Sequence, residues 1–222
     1  MWTSGSCPHG HRECGRVELE RWATVPNAIT AIRTVGAVGL GLAAALDRDL
    51  ALLLWATGVY WVGDMADGAV ARLLHRETRI GAVFDIVCDR ICAAVIYIGV
   101  VWLLPSLVLP VAIYLLSFSV VDLMLSLSFL AYPLSSPNYF YLADRPTFTW
   151  NWSKPAKAAN SAIFLVILLV TESVLLTTGI ALLLLTAKLL SLRRLAGLAQ
   201  APQVDCAHEL VAAGSGARPR TR

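Results

Sequence analysis

An all-α membrane fold of six transmembrane helices is predicted by three observations. Of 222 residues, 57% are hydrophobic and 15% charged. The mean hydropathy is +0.66. Apolar stretches close to the ~20 residues that span a hydrocarbon core recur from Pro26 to Leu195. A soluble domain needs far less apolar sequence, and a signal peptide accounts for one such stretch at most. The formal net charge of +3 is small, and its positive residues sit at helix ends, which favours orientation in a lipid bilayer over nucleic-acid binding.

The first helix is expected from Pro26 to Leu46, and the turn Asp47-Arg48-Asp49 separates it from a second, Leu50 to Leu74. A basic turn with Arg72, Arg76 and Arg79 leads to a third, Ile80 to Leu104, which stops at Pro105-Ser106. A fourth runs from Leu107 to Tyr132. Pro133, Pro137, Pro146 and Pro155 mark a long connection, whose Tyr139-Phe140-Tyr141 and Trp150-Asn151-Trp152 clusters suit anchoring at the headgroup interface. A fifth helix spans Ala156 to Val170 and a sixth Leu175 to Leu195, with Glu172 between them.

Lysine and arginine fall before the first helix (Arg12, Arg16, Arg21), after the second, before the fifth (Arg145, Lys154, Lys157) and after the sixth (Arg193, Arg194). The opposite turns carry almost none, so both termini are expected in the cytoplasm. Three parts follow: an N-terminal segment, 1–24; a membrane domain, 25–196; and a tail, 197–222, too rich in Ala, Gly, Pro and Arg to bury a face and expected to be disordered. The five cysteines are read as structural or neutral. Cys88 and Cys92 lie one turn apart on an apolar helix, Cys206 stands alone in the tail, and Cys7 and Cys14 bracket His9 and His11 at a spacing of no common zinc site.

The informative stretch is Asp64 to Asp89. Acidic groups in membrane spans are costly and usually functional. Asp64, Asp67, Gly68, Ala71 and Arg72 share one helix face, and Gly81, Asp85 and Asp89 recur every four residues on the next helix. A short turn makes the two helices antiparallel neighbours, so four carboxylates converge. Such a group stays ionised only among cations, and two divalent ions would neutralise it. Oxygen ligands favour Mg2+ or Mn2+, often shared with substrate phosphates. Gly68, Ala71 and Gly81 leave room for a ligand or for tight helix packing. Asp122 and Asn160 are expected to point into the bundle, and His75 into solvent.

The pattern Asp-x2-Asp-Gly-x2-Ala-Arg-x8-Gly-x3-Asp-x3-Asp resembles the signature of the CDP-alcohol phosphatidyltransferases, with all eight fixed positions present; a chance match is on the order of 10^-8. Pro26 to Thr30 and Arg33 are similar to the start of that family's first helix. The resemblance implies a transferase of phospholipid synthesis, in a bacterial cell membrane with its site on the cytoplasmic side. A phosphatidyl group would pass from CDP-diacylglycerol to the hydroxyl of a small polar alcohol, releasing CMP. It implies that Asp64, Asp67, Asp85 and Asp89 hold two divalent ions, that Asp89 is the general base, and that Pro26, Asn27, Gly68, Arg72 and Thr78 hold the CDP-lipid. Arg145, Lys154, Lys157, Arg193 and Arg194 are candidates for a phosphorylated acceptor, inositol phosphate or glycerol 3-phosphate. Arg90 after Asp89 resembles the inositol-phosphate branch. Serine or a CDP-aminoalcohol is the alternative chemistry, a divalent-cation transporter the remote one. The run Gly36, Gly39, Gly41 is a candidate homodimer contact.

Overall fold

The computed structural model describes residues 11, 13, 14, 20–198 and 206–209. Among them are six long helices and no strand: α1 (Val25–Asp47), α2 (Leu50–Leu73), α3 (Arg79–Leu103), α4 (Pro105–Ala131), α5 (Arg145–Thr171) and α6 (Val174–Leu198). Five of them, α1, α3, α4, α5 and α6, are long and apolar enough to cross a membrane. The exception is α2, where Asp64, Asp67 and Arg72 dilute an apolar first half. Cys7, His9, Arg12 and Arg16 lie outside the described residues.

Local chemistry sets the helix ends. The side chains of Thr24, Asp49, Thr78 and Asp144 accept hydrogen bonds from backbone N–H groups in the first turns of α1, α2, α3 and α5, satisfying donors that a helix start leaves orphaned. Arg48 ends α1 and Glu172 ends α5 in the left-handed region, at φ 52° and 46°. His75, exposed in the turn after α2, has φ 52°. Glu20 extends the capping of α3 from a distance, its two carboxylate oxygens accepting from the N–H groups of Arg79 and Ile80 at 2.9 Å each.

α1 packs closely on α2 and α3. A Cβ on Gly41 would stand 2.6 Å from Val95 Cγ1, and one on Gly99 2.8 Å from Leu53 Cδ1. Two of the three glycines considered for a homodimer contact therefore face neighbours within the chain, Gly41 against α3 and Gly36 3.4 Å from Val59 of α2, while Gly39 faces open space. Tyr97, Tyr114, Phe118 and Phe164 fill the centre of the bundle, with the Tyr114 and Phe164 rings stacked at 4.5 Å. Ile32, Val35, Trp55 and Leu183 point outward from the bundle, as lipid-facing side chains do.

The connection after α4 differs from the expected interfacial loop. It forms a 3-10 turn, Pro137–Leu142, and enters α5 at Arg145, eleven residues before the expected Ala156. Phe140 and Trp152 are buried with ring centroids 4.7 Å apart, so they build a second core with Leu125, Phe129 and Leu134. Of the aromatic clusters, Tyr141 and Trp150 are the ones left exposed. Two helices are locally widened by one residue: α4 has a π turn at Ser117–Val121 and α5 another at Ala159–Ile163. Within the expected tail, Cys206 and Ala207 are buried against Cys14.

Gly41→Val should cost about 1–3 kcal/mol by overpacking against Val95. Its unfolding midpoint in detergent is expected several degrees below that of Gly39→Val, which meets open space. Equal midpoints would refute the close α1–α3 contact.

Candidate active site

The antiparallel pairing of α2 and α3 brings four carboxylates to one end of the bundle, and α1 adds a counter-charge. Arg33 is 3% exposed. Its Nε donates to Asp67 Oδ2 at 2.8 Å, and its Nη2 to Asp85 at 2.5 Å, to Asp89 at 2.9 Å and, at 3.5 Å, to Asp64. Thr30 Oγ1 donates to the same Asp67 oxygen at 2.7 Å. The arrangement needs Gly63: a Cβ there would lie 2.5 Å from Arg33 Cβ, so any larger residue would displace the arginine. The Tyr60 ring lies 5.5 Å from the guanidinium carbon, within cation–π range.

The four carboxylates carry −4 and Arg33 +1, leaving −3 in a setting of low dielectric. Asp67 is 5% exposed, whereas Asp64 and Asp85 are 43% and 37% exposed. Asp64, Asp67 and Asp85 each offer an oxygen, all within 4.8 Å of one another. This all-oxygen, net-negative donor set fits a hard divalent cation. Asp89 stands outside that trio, one helical turn further along α3.

These carboxylates line a cavity of about 240 Å³. All five residues expected to hold the CDP-lipid, Pro26, Asn27, Gly68, Arg72 and Thr78, also line it. Gly81 is where a side chain would close the site, since its Cβ would meet Thr78 Oγ1 at 2.8 Å and Asn27 Oδ1 at 3.0 Å. Arg72 folds back along α2, its Nη1 3.2 Å from the position a Gly68 Cβ would take.

Another stretch of the cavity wall is basic. Asp122, just past the α4 π turn, pairs with Arg90 Nη2 at 2.5 Å and with Lys188 of α6. Ser126 hydroxyl joins them, 3.3 Å from Arg90, and the Phe118 ring packs 3.8 Å from the Arg90 guanidinium. Two cations against one carboxylate leave this wall at +1. Of the five expected acceptor residues, Lys157 lines the cavity and donates to Asn138 Oδ1 at 2.7 Å. Arg145, Lys154, Arg193 and Arg194 are not among the lining residues. Arg194 instead forms a two-pronged pair with Asp144 at 2.8 and 3.0 Å. Lys188 and Arg33 had the signal that flagged the aspartates, a lone charge in an apolar span.

The chain belongs to the CDP-alcohol phosphatidyltransferase family, whose model matches residues 23–190. It is similar to the phosphatidylinositol phosphate synthases of Mycobacteroides abscessus, 34% identical over 87 residues (38% of each chain), and of Corynebacterium glutamicum, 35% identical over 80 residues (35% of each chain). That of Mycobacterium marinum is 36% identical over 87 residues, 38% of this chain and 36% of the relative. The matched segments thus span little more than a third of each relative's length. No solved structure matches.

Replacing Arg33 by Met strips the fixed cation from the buried Asp67, which should cost about 3–5 kcal/mol. Added Mg2+ should then raise the unfolding midpoint more in Arg33→Met than in the wild type; an equal rise would refute the counter-charge role. A second outcome concerns pH. Burial would raise the Asp144 carboxyl, but hydrogen bonds from Arg194 and Thr147 outweigh it and hold the group below its usual range. The stability this provides is complete above the unfolded carboxyl's pKa and is lost as pH falls through the lowered folded value. Arg194→Met should therefore flatten the acid limb of a midpoint-against-pH curve, and an unchanged limb would refute the pairing.

Proposed function

We propose that the chain transfers a phosphatidyl group from CDP-diacylglycerol to a hydroxyl of inositol phosphate and releases CMP. The observation that carries this reading is a cavity lined by both signs of charge: four carboxylates from α2 and α3 together with Arg90, Lys188 and Lys157. Those cations favour a phosphorylated acceptor over a neutral alcohol. The names of the three similar proteins support the same substrate class.

In this mechanism Asn27, Gly68, Arg72 and Thr78 hold the cytidine diphosphate, with Pro26 shaping the start of α1. Arg72 donates to phosphate oxygens in its fork geometry. Asp64, Asp67 and Asp85, with Asp89 as a further ligand, would hold two divalent ions, Mg2+ or Mn2+, which supply Lewis-acid stabilisation of the phosphate charge. Asp89 accepts the proton of the acceptor hydroxyl as its oxygen attacks phosphorus. The acceptor O–P bond forms while the P–O bond to CMP breaks, and no covalent enzyme intermediate is required. Arg33 keeps the Asp67, Asp85 and Asp89 carboxylates aimed at one point, so that little reorganisation is left for the reaction itself.

The same reading has α2 as a sixth span, both termini in the cytoplasm and the site on the cytoplasmic side of a bacterial cell membrane. Arg72, Arg76, Arg79, Lys157, Arg193 and Arg194 all flank the helix ends that this orientation puts inside. The acyl chains then stay in lipid while the nucleotide and the polyol enter from water. Residues 25–196 form the membrane domain, and an outward α1 face with Ile32, Val35 and Gly39 suits a homodimer contact.

The test is CMP release by detergent-purified protein given CDP-diacylglycerol and Mg2+, with inositol phosphate, glycerol 3-phosphate, inositol and serine compared. Release is expected to be fastest with inositol phosphate and to fall by about 10^2–10^4 in Asp89→Asn. Lys188→Met should raise KM for inositol phosphate more than it lowers kcat. Release with serine or glycerol 3-phosphate alone would overturn the acceptor assignment, and none with any acceptor would overturn the reaction.

A further inference from the structure

Far along the chain from the aspartates, the structure brings both ends together at a group of soft ligands. His11 Nδ1 lies 3.3 Å from Cys206 Sγ, and Cys14 Sγ lies 3.9 Å from Cys206 Sγ. All three donor atoms are within 4.8 Å of one another. Cys14 and Cys206 are each 1% exposed. Residues 192 and 195 positions apart in sequence have no local reason to meet in this way.

We propose that His11, Cys14 and Cys206 bind a structural zinc-type ion that clamps the C-terminal segment to the N-terminal one. A tetrahedral zinc with ligands at about 2.3 Å (sulfur) and 2.0 Å (nitrogen) separates two sulfurs by about 3.8 Å and sulfur from nitrogen by about 3.5 Å. The spacings here, 3.9 and 3.3 Å, match without rearrangement of the backbone. Two thiolates and an imidazole select zinc over magnesium or calcium, whose sites are oxygen-rich. The fourth position would be completed by a ligand outside this trio. The His208 ring stands beside that of His11, centroids 4.3 Å apart, with its Nε2 3.5 Å from Glu13 Oε2. The Ala207 N–H points at Cys14 Sγ, 3.4 Å away, and would stabilise thiolate charge there. Close packing of two buried thiols explains the sulfur contact but not the approach of the His11 imidazole nitrogen to it.

The clamp has a place in the architecture. Cys14 pairs with Leu134 in an isolated β-bridge, and Ser135 N–H donates to Glu13 O at 2.8 Å. The next residues, Ser136, Pro137 and Asn138, line the catalytic cavity. An ion held at His11, Cys14 and Cys206 thus fixes the strip of chain that forms one cavity wall. This inference is independent of the acceptor and of the reaction.

Full-length protein in detergent, depleted of metal and refilled with Co2+, tests it. The wild type should show thiolate-to-cobalt charge transfer in the near ultraviolet and strong tetrahedral bands in the red, both displaced by about one equivalent of Zn2+. Asp64→Asn should keep these bands, because carboxylates do not produce the charge-transfer signal, and Cys206→Ser should lose them. Wild-type protein without a thiolate band overturns the proposal whatever the variants do. So do equal bands in wild type and Cys206→Ser, or protection of Cys14 and Cys206 from alkylation that reductant removes and chelator does not.

Discussion

One guanidinium inside a membrane bundle sets the terms for the rest of the molecule. Arg33 reaches four carboxylates through two of its nitrogens, and Asp67, the most deeply buried of them, would be costly alone in this setting. The contact imposes geometry at every level. α1 must lie against both α2 and α3, Gly63 must have no side chain, and Asp64, Asp67, Asp85 and Asp89 must recur at helical intervals facing one point. A lysine has one compact charge and no fork, so it could not satisfy Asp67 and the Asp85–Asp89 pair from two separate nitrogens.

The second charged group, Asp122 with Arg90 and Lys188, is built on the same logic with the signs reversed. Arg90 directly follows Asp89, so one turn of α3 presents an acid to one group and a base to the other. Both groups line the same cavity, so its polar lining carries both signs of charge. Lys188 matters structurally as well, because it is how α6, otherwise an apolar helix, is tied to the polar interior.

How much of this is legible in sequence depends on the distance over which the residues act. The carboxylate cluster is local, set by intervals of three and four on two consecutive helices, and the glycines and Arg72 belong to the same pattern. The helices themselves show as apolar runs, with ends within a few residues of the expected ones except where α5 starts early. In sequence Arg33 reads as part of a helix start and not as the counter-charge, because its partners lie 31 to 56 residues away. Phe140 and Trp152 belong to clusters that suit a headgroup interface by composition, and only the fold turns them inward. Cys206 reads as a lone cysteine because nothing within the tail itself refers to residue 14.

The π turns have a consequence for how relatives of this chain are compared. Each holds one more residue than an α-helical turn of the same rise, and each sits immediately beside a cavity residue, Asp122 in α4 and Asn160 in α5. Deleting a single residue between Ser117 and Val121 would let α4 relax to regular helix and rotate everything on one side of the deletion by about 100° relative to the other. Asp122 would then leave Arg90 and Lys188 although no cavity residue had been substituted. In a sequence alignment a one-residue gap at that place is therefore a change in the site's charge pairing, not a harmless difference in helix length.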